Sequence, residues 1–228
     1  MVAAAAAAFV GTHFLLSHPL RRPLVGAVGE RRFLGIYSLV ALATFAWLVL
    51  AYAAAPESLP LWPVGDGLWA LATVVMLVAS ILLVGSFFGN PAFPDPGAEA
   101  APAAPEPRGV FAITRHPMMW SFALWAACHI AVYPVPANLI LSAGILLLAL
   151  VGAAMQDRKK RALQPKSWAD WERRTSFVPF AALLAGRTGG SARPGAGVTA
   201  GGVLLWIVAT WAHMPLWGWP AGFWRWIV

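Results

Sequence analysis

The sequence predicts an all-α fold: a polytopic bundle of about six transmembrane helices, with one amphipathic segment at its cytoplasmic edge. Three observations carry the prediction. Of 228 residues, 60% are hydrophobic and only 11% are charged, where soluble domains run at about 45–50% and about 25%. Mean hydropathy is +0.69, and six stretches approach the roughly 20 apolar residues that a span requires. Fifteen of the 16 Lys and Arg residues fall in alternate connections between those stretches. These features exclude a disordered chain and a disulfide scaffold; the one Cys, Cys128, cannot form an intrachain disulfide. The net charge of +7 invites a nucleic-acid reading. The placement of the charge argues for membrane orientation instead, with the lipid bilayer as partner and no nucleic acid.

The spans fall near 2–17, 33–54, 67–88, 117–133, 136–155 and 198–215. The first is Ala-rich with no Lys or Arg ahead of it, so it lacks a signal peptide's positive region and reads as a retained helix. The second and third are uniformly apolar. The fourth opens with Pro117, which suits a first helical turn. Only 133–136 separates it from the fifth, which makes the pair a tight antiparallel hairpin. The sixth leads into a Trp-rich tail, WAHMPLWGWPAGFWRWIV, and Trp prefers the membrane interface. Basic residues follow spans one, three and five, and Arg225 alone lies on the other side. By the positive-inside rule the basic side is cytoplasmic and both termini are periplasmic, in a bacterial inner membrane.

The connections differ in character. The Pro- and Ala-rich stretch 91–107 reads as a flexible or polyproline-like linker. In QDRKKRALQPKSWADWERRTSFVPF, 156–180, Trp168 and Trp171 alternate with charges, as in an amphipathic helix lying on the cytoplasmic leaflet. The Gly-rich stretch 186–202 links to the last helix. The chain therefore divides into a membrane domain, 1–187, and a linker with the sixth helix, 188–228.

Histidines carry the chemistry. His13, His129 and His213 lie inside apolar spans without an intramembrane carboxylate or second cation beside them. An ionisable residue in hydrocarbon needs a partner, which makes it a functional candidate. Neutral imidazole ligates metals and haem iron, although a helix-to-helix hydrogen bond serves equally well. His18 and His116 lie at the cytoplasmic edge. Arg115 and His116 precede Pro117 at a helix start, where free N–H groups attract anions; interfacial snorkelling is the alternative. Cys128 and His129 are adjacent and point about 100° apart, so Cys128 reads as packing.

These segments together resemble the NnrU family of bacterial membrane proteins, whose wider family includes the zeta-carotene isomerases. GTHFLLSHPLRRPLVGAVGERRFLGIYSLVAL at 11–42 and RGVFAITRHPMMWSFALWAACH at 108–129 carry the resemblance. It continues through 156–187 and WAHMPLWG at 211–218. It implies a link to nitric oxide and nitrite reduction in denitrification. From the isomerases it implies a b-type haem with His13 and His129 as iron ligands. Arg115 and His116, at the helix start, are the candidates for a second, cytoplasmic-edge site that binds a haem propionate or a substrate anion. Ala126 stands where the isomerases carry a Cys, which closes ligand exchange by that thiol. At 1.5 Å per residue, His13 lies about 18 Å below the outer face and His129 about 6–7 Å below it. His213, also near that face, is therefore the alternative ligand. The implied activity is a haem-dependent, isomerase-like or redox reaction, with a hydrophobic small molecule or a respiratory reductase as partner. Two other readings stand beside it: a membrane methyltransferase using S-adenosylmethionine, and a non-catalytic assembly factor for a respiratory reductase.

Overall fold

The computed structural model describes residues 1–93 and 106–228. Most of the expected linker 91–107 thus lies outside the described residues. All regular structure among them is helical. In chain order the helices are α1 (Val2–Ser17), α2 (Arg21–Val28), α3 (Glu30–Ala53), α4 (Asp66–Gly85), α5 (Val110–Ile113), α6 (Pro117–Val132), α7 (Pro136–Leu163), α8 (Pro165–Arg174), α9 (Ala181–Leu184) and α10 (Ala196–Trp217). A 3-10 turn, Gly222–Trp226, follows.

The six expected spans correspond to α1, α3, α4, α6, α7 and α10. By length and composition α3, α4, α7 and α10 can each cross a membrane alone. A fifth span forms if α1 and α2, bent by 66°, count as one. The sixth, α6, is apolar but only 16 residues long, about 24 Å at the helical rise. Leu39, Leu42 and Leu50 of α3 are about two-thirds exposed, and Leu71 and Val74 of α4 nearly so. Helices apolar on every face need an apolar solvent around them. The chain is accordingly a multi-pass membrane protein.

The packing runs α3–α1–α7–α6–α4–α10. Small residues set the close approaches, as in other membrane bundles. Ala5 and Ala6 of α1 are buried, and a Cβ on Gly144 of α7 would sit 3.6 Å from Ala6 Cβ and from Val10. At the other end of the row, Gly202 of α10 lies against the backbone of Ile81 in α4. The α6–α7 hairpin is locked by Asn138, whose Nδ2 donates to the carbonyls of His129 (2.8 Å) and Tyr133 (2.6 Å). Those carbonyls lie at the end of α6 and also accept from the peptides of Tyr133 (3.0 Å) and Val135 (2.9 Å), so Asn138 adds a second donor to each.

Charge segregates between the two ends of the bundle. At the basic end, Arg21 pairs with Glu30 at 2.6 Å, and Arg115 with Asp157. His18 at the same end feels Lys159 and Arg158. Burial first, and then those two cations, hold its pKa below the ordinary 6.5. At the Trp-rich end, Arg225 pairs with Asp66 at 3.1 Å and lies over the Trp69 ring.

The amphipathic segment exists as α8, but its apolar face turns inward. Trp168 and Trp171 are each 1% exposed and pack with Leu82, Val110 and Phe111. The expected leaflet contact of these two Trp rings is replaced by protein.

Candidate functional site

All three intramembrane histidines share one local arrangement. Nδ1 of His13 lies 2.7 Å from the Phe9 carbonyl, Nδ1 of His129 2.8 Å from that of Trp125, and Nδ1 of His213 2.8 Å from that of Ala209. A carbonyl can only accept, so Nδ1 carries the hydrogen. In neutral imidazole this leaves the lone pair on Nε2, free to ligate a metal. The helix builds this arrangement itself, because residues four apart lie on one face.

The neighbours differ. His13 meets the rings of Phe9 (4.4 Å) and Tyr37 (5.6 Å) between α1 and α3. His129 meets His213 across the mouth between α6 and α10, with ring centroids 6.3 Å apart and planes inclined at 32°. Trp125 stacks on His129 at 4.0 Å, and Trp217 lies 5.2 Å from His213. The pair brought together is therefore His129 with His213, while His13 sits among aromatic rings of α1 and α3. Cys128 is buried against α4, with Sγ 4.0 Å from the Ala72 carbonyl. No group of three or more His, Cys, Asp or Glu side chains gathers as a metal site among the described residues.

Arg115 and His116 form a separate cluster at the basic end. The peptide of Arg115 donates to the Ser176 carbonyl at 2.9 Å, and Thr114 Oγ1 donates to Phe177 O at 2.8 Å. Trp120 Nε1 donates to the same Phe177 carbonyl. The 175–180 stretch thus clamps the entrance of α6. Asp157, on the polar extension of α7, is the hub. Its Oδ2 accepts from Arg115 Nε (2.9 Å) and Nη2 (2.7 Å), and its Oδ1 accepts from His116 Nε2 (2.7 Å). Glu172 of α8 adds a second carboxylate 3.6 Å from Arg115. The Arg115 guanidinium is therefore engaged by carboxylates, which weakens its pull on an outside anion.

The sequence reading missed Asp157 as the hub. Its signal is an acid lying just beyond the apolar run of the fifth span, at the depth of the Arg-His-Pro. His116 is 2% exposed, and its Nδ1 has no hydrogen-bond partner. The indole N–H groups of Trp168 and Trp171 are buried in the same state. A recess of about 60 Å³ borders His116, Arg115, Met118 and Met119, with the amide side chains of Asn90 and Gln156 in its wall as well.

Among known proteins, the family model described as NnrU protein matches residues 1–221. No curated protein and no solved structure matches the chain.

Proposed function

Since the chain belongs to the NnrU family, we propose that it is a haem b-binding protein of the bacterial inner membrane that serves nitric oxide and nitrite reduction. His129 and His213 hold the iron in this reading. The observation that supports it is the closeness of the two rings. Two imidazole nitrogens each about 2 Å from one metal ion place their ring centroids about 6 Å apart, and the two rings stand at 6.3 Å. The donor chemistry also fits. Each ring has given its Nδ1 hydrogen to a helix carbonyl, which fixes the tautomer and raises the basicity of Nε2.

A bound haem would supply a reversible one-electron change at iron. The residues of the chain do the rest. With His129 and His213 both holding the iron, the group would suit electron transfer better than substrate binding at the metal. Ala126 offers no thiol to displace either ring, which favours electron transfer over an isomerase-like ligand exchange. Trp125 and Trp217 flank the two rings. The segregation of Arg and Lys to one end supports an orientation with both termini periplasmic, which puts the histidine pair near the periplasmic face.

Haemin titration of the detergent-purified protein tests the ligand set. His129→Ala and His213→Ala are expected to lose stoichiometric low-spin binding, and His13→Ala to keep it. Loss in His13→Ala with retention in His213→Ala would overturn the pairing.

A further inference from the structure

We propose that His116, Met118 and Met119 form a second site at the basic end, one that binds a soft monovalent cation, Cu(I). Three observations converge on it. First, the Nε2 hydrogen of His116 is held by Asp157 Oδ1 at 2.7 Å. A carboxylate on the far nitrogen is the usual second-shell partner of a metal-ligating histidine. Second, Nδ1 is left buried with nothing to bond, although His116 occupies the N-cap position of α6, where a side chain commonly bonds the helix N–H groups. An imidazole nitrogen in that state costs free energy until something approaches it. Third, the two thioether side chains border the same recess as His116.

Size and charge choose the ligand. At about 60 Å³ the recess is far below the roughly 300 Å³ at which pockets for organic ligands begin; it admits an ion or a few waters. Both Asp157 oxygens are committed to Arg115 and His116, so no anionic donor is left to ligate. What remains is one imidazole, two thioethers and the amides of Asn90 and Gln156; Asn90 Oδ1 already accepts from the Ala92 N–H and Gln156 Nε2 donates to the Ala92 carbonyl. All of these groups are neutral, and the two soft sulfurs favour Cu(I) over divalent zinc, magnesium or calcium. Arg115 borders the recess as well, and its charge opposes a divalent ion more than a monovalent one. Its pairing with Asp157 and Glu172 offsets that repulsion. His116 and Met119 are three residues apart, on one face of the turn. Met118 diverges by about 100° from Met119, and its three rotatable bonds give it the reach back. The indole N–H groups of Trp168 and Trp171 are donors only and take no part.

The test is anaerobic competition for Cu(I) between the full-length purified protein and a chromophoric Cu(I) chelator. One Cu(I) per chain is expected. Met118→Leu with Met119→Leu, a volume-conserving change that keeps the fold, should weaken binding by about 100-fold or more, beyond the effect of an outer partner. Circular dichroism should be unchanged. Asp157→Asn should cost about 10–100-fold. X-ray absorption of the loaded protein should show sulfur neighbours. Failure of the parent protein to hold Cu(I) overturns the proposal, and so does equal affinity in the double Leu variant. Loss of Cu(I) only on His129→Ala/His213→Ala would move the metal to the other pair and overturn it as well.

Discussion

Replacing Gly202 by Ala should separate α10 from α4 and disturb the histidine pair. A Cβ at Gly202 would lie 2.6 Å from Ile81 Cγ1, 2.7 Å from its Cα and 2.9 Å from its N. Ordinary carbon contacts begin near about 3.5 Å, so the helices must part by about 0.8 Å. A rotamer change in Ile81 cannot relieve this, because two of the three atoms are backbone. Overpacking of this kind costs about 1–3 kcal/mol. His213 is 11 positions further along α10, about 16 Å at the helical rise, so the shift carries to its ring. Gly11 of α1 provides the contrast. Nothing lies within 4 Å of its would-be Cβ, and Ala gains up to about 1 kcal/mol over Gly in a helix. The propensity gain applies to both helical sites and cancels, so the two variants should differ by about 1–3 kcal/mol in denaturant unfolding followed by circular dichroism in detergent. The reasoning is refuted if Gly202→Ala unfolds together with Gly11→Ala.

Three further outcomes follow from the basic end. Asp157→Ala strands His116 and leaves Arg115 with only the more distant Glu172, at 3.6 Å, and should cost about 3–5 kcal/mol; Arg115→Met with Asp157→Leu should recover most of it, and a double variant no better than the single one would contradict the pairing. Trp168→Ala should cost about 3–5 kcal/mol, as for an aromatic side chain buried in protein; a loss of membrane association without a loss of stability would place the ring in lipid instead. His18 has a folded pKa below its ordinary 6.5, so the unfolded chain binds its proton more readily. Stability should therefore fall as pH drops below 6.5, and His18→Gln should flatten that part of the stability profile. An unchanged slope would show that His18 does not titrate in this way.

The helices were legible in the sequence because lipid imposes a length and a composition on each. The expected 2–17 is α1 without adjustment, and 117–133 differs from α6 by one residue. The fifth span, 136–155, is the apolar part of a longer helix. The apolar run stops at Met155, but QDRKKRAL contains good helix formers, so α7 continues to Leu163. That extra length carries Asp157 to Arg115 and His116. Periodicity also could not say which medium the Trp face of α8 meets; docking on α5 and α4 decides that. The short α2 was unforeseen, because Pro23 and Gly26 make RRPLVGAV a weak helical pattern. The candidate ligands were visible as histidines in apolar runs. Their pairing was not, because it depends on the order α7–α6–α4–α10, which hydropathy does not encode.

The most direct test of the central claim is the absorption spectrum of the detergent-purified protein with haemin, oxidised and then reduced with dithionite. The account predicts a Soret band with sharp reduced alpha and beta bands, the signature of six-coordinate low-spin iron between two imidazoles, lost in His129→Ala and His213→Ala. A featureless visible spectrum, or bands that survive both substitutions, would contradict it.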